Sequence, residues 1–161
     1  AETRPLAPLQ SGVVLRVPLG ADAGEVRIDA RARSAAGSAA DATAAVAPAP
    51  SGLLGDVMSY RGLARALMPA ADGRYRRTER ATIEAPLAEG ATPAGARVLD
   101  QQGNPLKVPA TVRERVDAAG TRWLVAAVSL APFTEGDYII EIEAAKGDAR
   151  ERRLFAIRVV R

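Results

Sequence analysis

The chain has no cysteine and no histidine in its 161 residues. Without thiols there is no disulfide framework, no thiolate nucleophile and no cysteine-based metal site. Without imidazole the commonest general base and metal ligand is missing. Ser-His-Asp and Cys-His catalysis go with it, and zinc loses its usual donors. Aromatic residues make up only 4%, which leaves few rings for bases or sugars to stack on. No stretch approaches the roughly 18 apolar residues that a membrane span requires. No signal-peptide pattern is visible and the chain begins at Ala1. A removed leader or a longer parent is therefore expected. The lack of cysteine fits a periplasmic or secreted bacterial protein, or one on the cell surface. The net charge of +3, with a pI near 9.8, is mild and does not by itself call for nucleic acid.

What is present is uneven. Hydrophobic residues reach 48%, but alanine inflates the count. Larger core formers are sparse before Leu53 and dense after Ile83, so the packed core is expected in the second half. The stretch 122–144 (RWLVAAVSLAPFTEGDYIIEIEA) organises that half. Residues 122–130 carry apolar side chains on both faces, the pattern of a central strand. From Tyr138, the residues Tyr138, Ile140 and Ile142 alternate with Asp137, Glu141 and Glu143, the pattern of a strand with one wet face. Between them, Leu130, Pro132, Gly136 and Tyr138 have the layout of a tyrosine corner. There a Tyr hydroxyl turns back onto upstream backbone, with Pro fixing one φ and Gly freeing another.

Many short strands with turns between them surround this stretch. Residues 74–85 read as one alternating strand, with Tyr75, Ala81 and Ile83 inward. Residues 96–100 read as a short strand, and 106–117 as a strand broken at Pro109. Gly147-Asp148 reads as a two-residue turn closing a last hairpin. That turn sets Tyr138 opposite Ile157, Ile140 opposite Phe155, Asp137 opposite Arg158 and Glu143 opposite Arg152. A slip of one residue would break both faces. The pattern predicts an all-β, immunoglobulin-like antiparallel sandwich over residues 74–161.

The first half is expected to be simpler. Within residues 1–34, 13–19 and 25–33 read as two strands joined by a turn, an N-terminal β-hairpin. Two strands alone are marginal in water, so such a hairpin needs something to pack on. Residues 35–73 begin as an Ala/Pro-rich low-complexity linker. They continue into an apolar segment where Leu63/Leu67 and Ala64/Met68 have helical spacing. A short helix ending before Pro69 is expected there, or an irregular segment lying across a sheet.

Four groups of side chains invite a chemical reading. Arg74, Arg76, Arg77 and Arg80 form a basic cluster that would suit an anionic partner, but it also reads as a solvated strand face. Trp123 would be a sugar platform if exposed and a core side chain if not. Glu141 and Glu143 share a face about 7 Å apart. Glycosidases use carboxylates at such separations, but draw them from different elements in a cleft. Residues 100–104 lack the alternating acids and the terminal Glu of a calcium loop and read as a β-turn. None of these calls for a catalytic residue, a metal or a cofactor.

The segments ARVLDQQGNPLKVP, RWLVAAVSLAPFTEGDYIIEIEA and the final FAIRVVR resemble a known family region. It is the C-terminal region of large secreted bacterial proteins with a von Willebrand factor A-related domain, notably from Acidobacteria and similar high-GC soil lineages. LLGDVMSYRG and RYRRTERATIEAPL are similar to its upstream part, so the resemblance spans residues 52–161. It implies a β-sandwich tail on an exported protein. The family's metal-dependent adhesion motif, Asp-x-Ser-x-Ser, belongs to the A-domain and has no match here, so no binding residue carries over. The expectation is a non-enzymatic structural or protein-interaction module, assembling through edge strands or the hairpin. Its partners would be other protein domains or further copies, with no nucleic acid. The alternative is a carbohydrate-binding sandwich using Trp123. A hydrolase and a basic nucleic-acid binder stand behind both.

Overall fold

A computed structural model describes residues 25–46, 52–62 and 67–161. Among these the regular structure is entirely β, with no helix. In chain order the strands are β1 Val26–Arg33, β2 Ala39–Val46, β3 Met58–Gly62, β4 Met68–Pro69, β5 Arg74–Arg76 and β6 Arg80–Pro86. They continue with β7 Thr92–Leu99, β8 Ala110–Val116, β9 Arg122–Ser129, β10 Gly136–Lys146 and β11 Ala149–Val160. The chain divides into two compact units, one containing the β1–β2 hairpin and the other every strand from β3 onward.

The larger unit is a sandwich. One sheet runs β5-β11-β10-β7 and the other β4-β3-β6-β9-β8. All neighbours are antiparallel except β5, which lies parallel to β11. Alternate residues of both sheets point into one core. Ile83, Leu124 and Val128 come from one sheet, and Val98, Ile140 and Val159 from the other. Each such aliphatic side chain, fully removed from water, contributes roughly 1.5–3 kcal/mol before entropy is counted. β9 is central, between β6 and β8, as its two apolar faces predict.

The last hairpin has the expected register. Tyr138 faces Ile157, Ile140 faces Phe155, Asp137 faces Arg158 and Glu143 faces Arg152. The corner before it closes as drawn from the sequence. Leu130 is fully buried, and Phe133 N donates to its carbonyl at 3.0 Å. The Tyr138 hydroxyl donates to the Thr134 carbonyl at 3.2 Å. Its ring packs edge-on against Phe133 with centroids 4.8 Å apart. Gly136 takes φ +151, a region that side chains disfavour.

Four expectations need correction. Residues 74–85 are not one strand. β5 joins one sheet and β6 the other, across a turn where Glu79 N donates to the Arg76 carbonyl and Glu79 Oε2 accepts from Arg76 N. A period of two is the same on either side of such a crossing, so alternation hides it. The sandwich also begins before residue 74. β3 pairs with β6, and Leu54, buried in the core, bridges to Leu87. Around the expected helix end, Met68 and Pro69 are strand, while residues 63–66 lie outside the described residues. Finally, the alanine-rich stretch read as linker contains β2.

That strand is the partner of β1. The anticipated partner over residues 13–19 lies outside the described residues. Val26 pairs with Val46, Ile28 with Ala44, Ala30 with Ala42 and Ala32 with Ala40. The turn between them has Ser34 N donating to the Ser38 carbonyl at 2.8 Å, with Gly37 at φ +88. Alanine prefers helix in isolation, but a turn that positions eight cross-strand partners outweighs a preference of a few tenths of a kcal/mol per residue. The ribbon is two-faced. The pairs above make one face wholly apolar. The other carries Arg31 on Asp41 at 2.7 Å and the Thr43 hydroxyl on Asp29 at 2.8 Å.

Candidate functional site

The arginine cluster sits around the β5–β6 turn. Tyr75 is wholly inside, so its neighbours Arg74 and Arg76 project outward, beside Arg158 and Val160 of β11. Arg77 donates to the Ala131 carbonyl at 3.0 Å, and Arg80 opens β6 opposite Ser129. Among the described residues no carboxylate lies within ion-pair distance of these four. Trp123 is not part of this group. It pairs with Pro86 at the far end of the same ladder, six residues or about 20 Å along β9 from Ser129. The five candidate residues therefore make two places, not one.

Trp123 is 5% exposed, yet it lies on the face of β9 opposite Leu124, Ala126 and Val128. Strict alternation sends it to the outer side of the sheet. There the Arg115 guanidinium stacks 5.3 Å from its ring centroid, and its Nε1 donates to Asp117 Oδ2 at 3.0 Å. Arg115 also holds Glu84 at 2.5 Å, and Glu84 is only 5% exposed. A ring covered by a guanidinium offers no open face for a sugar to stack on. The sequence marked Trp123 as interesting but gave no signal of its partners. Glu84 and Arg115 lie 31 residues apart, joined only through β9.

The wet face of β10 and β11 is an ion-pair lattice. Arg97 holds Glu141 at 2.7 Å, Arg152 holds Glu143 at 2.9 Å, and Arg158 holds Asp137 at 2.5 Å. The hydrogen bond from Arg152 holds the Glu143 carboxyl below its ordinary range, and that from Arg158 does the same for Asp137. A carboxylate tied to arginine in this way is a poor proton donor near neutral pH, so Glu143 is ill suited to the general-acid role in glycoside cleavage. Asp100 accepts from Gln102 N at 2.9 Å, Asn104 N at 2.8 Å and Asn104 Nδ2 at 3.0 Å. Its carboxylate is spent on closing the turn. Among the described residues no group of three acidic side chains could hold a metal ion. Nor is any helix there long and apolar enough to cross a membrane.

The sheet edges are unequal, which the sequence did not reveal. The outward N–H groups of β5 are taken, Arg74 N by Asp72 Oδ1 at 3.2 Å and Arg76 N by Glu79 Oε2 at 2.6 Å. β4 is two residues long and ends in proline. β7 contains Pro93, and its later half is covered where Leu106 N donates to the Val98 carbonyl at 2.8 Å and Leu99 bridges to Pro105. β8 ends its sheet with seven residues and, among the described residues, nothing paired to its outer side. Its Val116 is 60% exposed. The hairpin is open as well. Apart from half-buried Val26, every residue of β1 and β2 is exposed, Ile28 by 50%.

No family model, curated protein or solved structure matches this chain.

Proposed function

We propose that this chain is a non-enzymatic protein-interaction module, an immunoglobulin-like sandwich that makes its contacts through the β1–β2 hairpin. One observation carries the reading: the hairpin has one face made wholly of Val, Ile and Ala, and that face is open to water. A two-stranded ribbon is marginal by itself, and an exposed apolar face favours a partner that covers it. Pairing to a sheet edge is the usual way such strands bind. The immunoglobulin-like assignment draws support from the two strand orders, from β5 running parallel beside β11, and from the Tyr138 corner. Export, and kinship with the von Willebrand factor A-related proteins, belong to the same proposal and rest on the sequence resemblance. The capped Trp123 ring weighs against the carbohydrate alternative.

Hydrogen exchange of the full chain, followed by mass spectrometry across a range of concentrations, tests the reading. Amides of residues 26–46 should exchange fast when dilute and gain protection as self-association or an added partner covers them. A chain that stays monomeric at millimolar concentration, with hairpin exchange unchanged at every concentration, would remove self-assembly from the proposal.

A further inference from the structure

We propose that the outer edge of β1 pairs with the same edge of a second copy, antiparallel and with Ile28 on the two-fold axis. The proposal rests on the reading of the hairpin as the contact element and names its partner. Backbone direction decides which residues take part. Ser34 N donates to the Ser38 carbonyl, and these two continue the register that runs from Val26 and Val46 to Ala32 and Ala40. Hydrogen-bonded pairs alternate along an antiparallel ladder, so Val26, Ile28, Ala30 and Ala32 turn their N–H and C=O groups toward β2. Those of Arg27, Asp29, Arg31 and Arg33 point away from it. Among the described residues nothing pairs with that side, so β1 presents an edge that a further strand extends.

Charge selects the strand and the register. Glu25, Arg27, Asp29 and Arg31 alternate in sign along one face. Turned end for end, that series is its own complement. With Ile28 opposite Ile28 of the second copy, Arg27 meets Asp29 and Glu25 meets Arg31, each twice. Residues whose backbone groups point outward then meet others of the same kind, and the two apolar faces fall on one side. Moving the axis to Asp29 sets Asp29 against itself and Arg27 against Arg31. Moving it to Ala30 sets Arg27 against Arg33, and like charges directly opposite are destabilising. β2 carries a single charge, Asp41, and offers no such series.

No existing pair has to break. Arg31 holds Asp41 through Nε and Nη2, which leaves Nη1 for Glu25 of the second copy. Asp29 accepts from Arg27 and from the Thr43 hydroxyl on Oδ1, which leaves Oδ2 for Arg27 of the second copy. Glu25 is exposed and, among the described residues, has no ion pair. Ile28, 50% exposed, meets its own copy at a non-hydrogen-bonded position, where facing side chains lie closest. The product is a four-stranded sheet in the order β2-β1-β1-β2, past the three strands that independent stability needs. Both copies use the same edge, so the pairing closes as a dimer.

Sedimentation velocity on the full chain, with charge-reversal variants, is the test. Arg27→Asp alone and Asp29→Arg alone should each weaken self-association by about tenfold or more, because each turns two cross-strand attractions into repulsions. An equimolar mixture of the two variants should associate to within about threefold of the original. In that mixed pair every facing charge is again opposite in sign, a rescue that damage to the hairpin would not give. Because the chain has no cysteine, Ile28→Cys under mild oxidation should give a disulfide-linked dimer, its Cα atoms facing at about 4.5 Å. Ala30→Cys should not, since this register offsets the two copies of residue 30 by about 13 Å along the strands. If hairpin amides gain protection on association while both single variants associate normally and Ile28→Cys forms no disulfide dimer, the β1 edge is wrong and the hairpin reading survives. A chain that is monomeric at every concentration overturns the edge pairing. A chain that associates without protecting the hairpin overturns both.

Discussion

Replacing Arg115 by alanine is the sharpest test of how the outer face of the β9 sheet is held. Glu84 is 5% exposed and its partner among the described residues is Arg115, at 2.5 Å. Removing the guanidinium leaves a carboxylate with little water and no counter-charge. Breaking a buried pair from one side costs on the order of 3–5 kcal/mol. The Arg115 side chain is 28% exposed, so its truncation also lets water in. We expect a loss of about 2–3 kcal/mol, with part of it the lost stacking on Trp123. Urea unfolding at pH 7, followed through the fluorescence of the single tryptophan, measures this directly as the difference between variant and parent. A loss below about 0.5 kcal/mol would refute the reasoning. Arg115→Met combined with Glu84→Gln should be far milder than Arg115→Ala, because it strands no charge.

Three further outcomes are expected. Tyr75→Phe should leave stability unchanged or raise it by up to about 1 kcal/mol in thermal unfolding. The hydroxyl is buried without a hydrogen-bond partner, burial pushes the phenol up, and an unsatisfied group costs free energy that its removal returns. Tyr138→Phe should lose about 0.5–1.5 kcal/mol, since the Thr134 carbonyl forfeits its donor, while near-ultraviolet circular dichroism of the Phe133 contact persists. Acid should destabilise the sandwich progressively. Asp137, Glu143 and Glu114 are held below their ordinary values of 3.8, 4.5 and 4.5 by hydrogen bonds from Arg158, Arg152 and Arg122. Their contribution is full at neutral pH and disappears as pH falls through the lowered values. The melting temperature should begin to fall near pH 4.5 and keep falling below 3.8. A melting temperature flat from pH 5 to pH 2.5 would contradict that sign.

The features legible in the sequence were those fixed by neighbours along the chain. Alternation from Tyr138 onward, with a two-residue turn at Gly147-Asp148, gave the β10–β11 register residue by residue, because side-chain direction in a strand is local and has a period of two. Pro132, Gly136 and Tyr138 marked the corner because its hydrogen bond spans four residues. Composition alone removed thiol and imidazole chemistry. What stayed hidden depends on which strand lies beside which. Nothing in residues 74–85 indicates that the chain changes sheets at Arg77, since both halves alternate alike. Alanines 39–46 carry no strand signal of their own and become β2 because β1 and the Gly37 turn give them partners. Trp123 looked like a core residue by type, and it is buried, but on the outer face under an arginine that is eight residues away in sequence and directly opposite in space. The open edge of β8 is likewise a fact of sheet order. An edge is defined by the neighbour that is missing, and only the folded chain decides that.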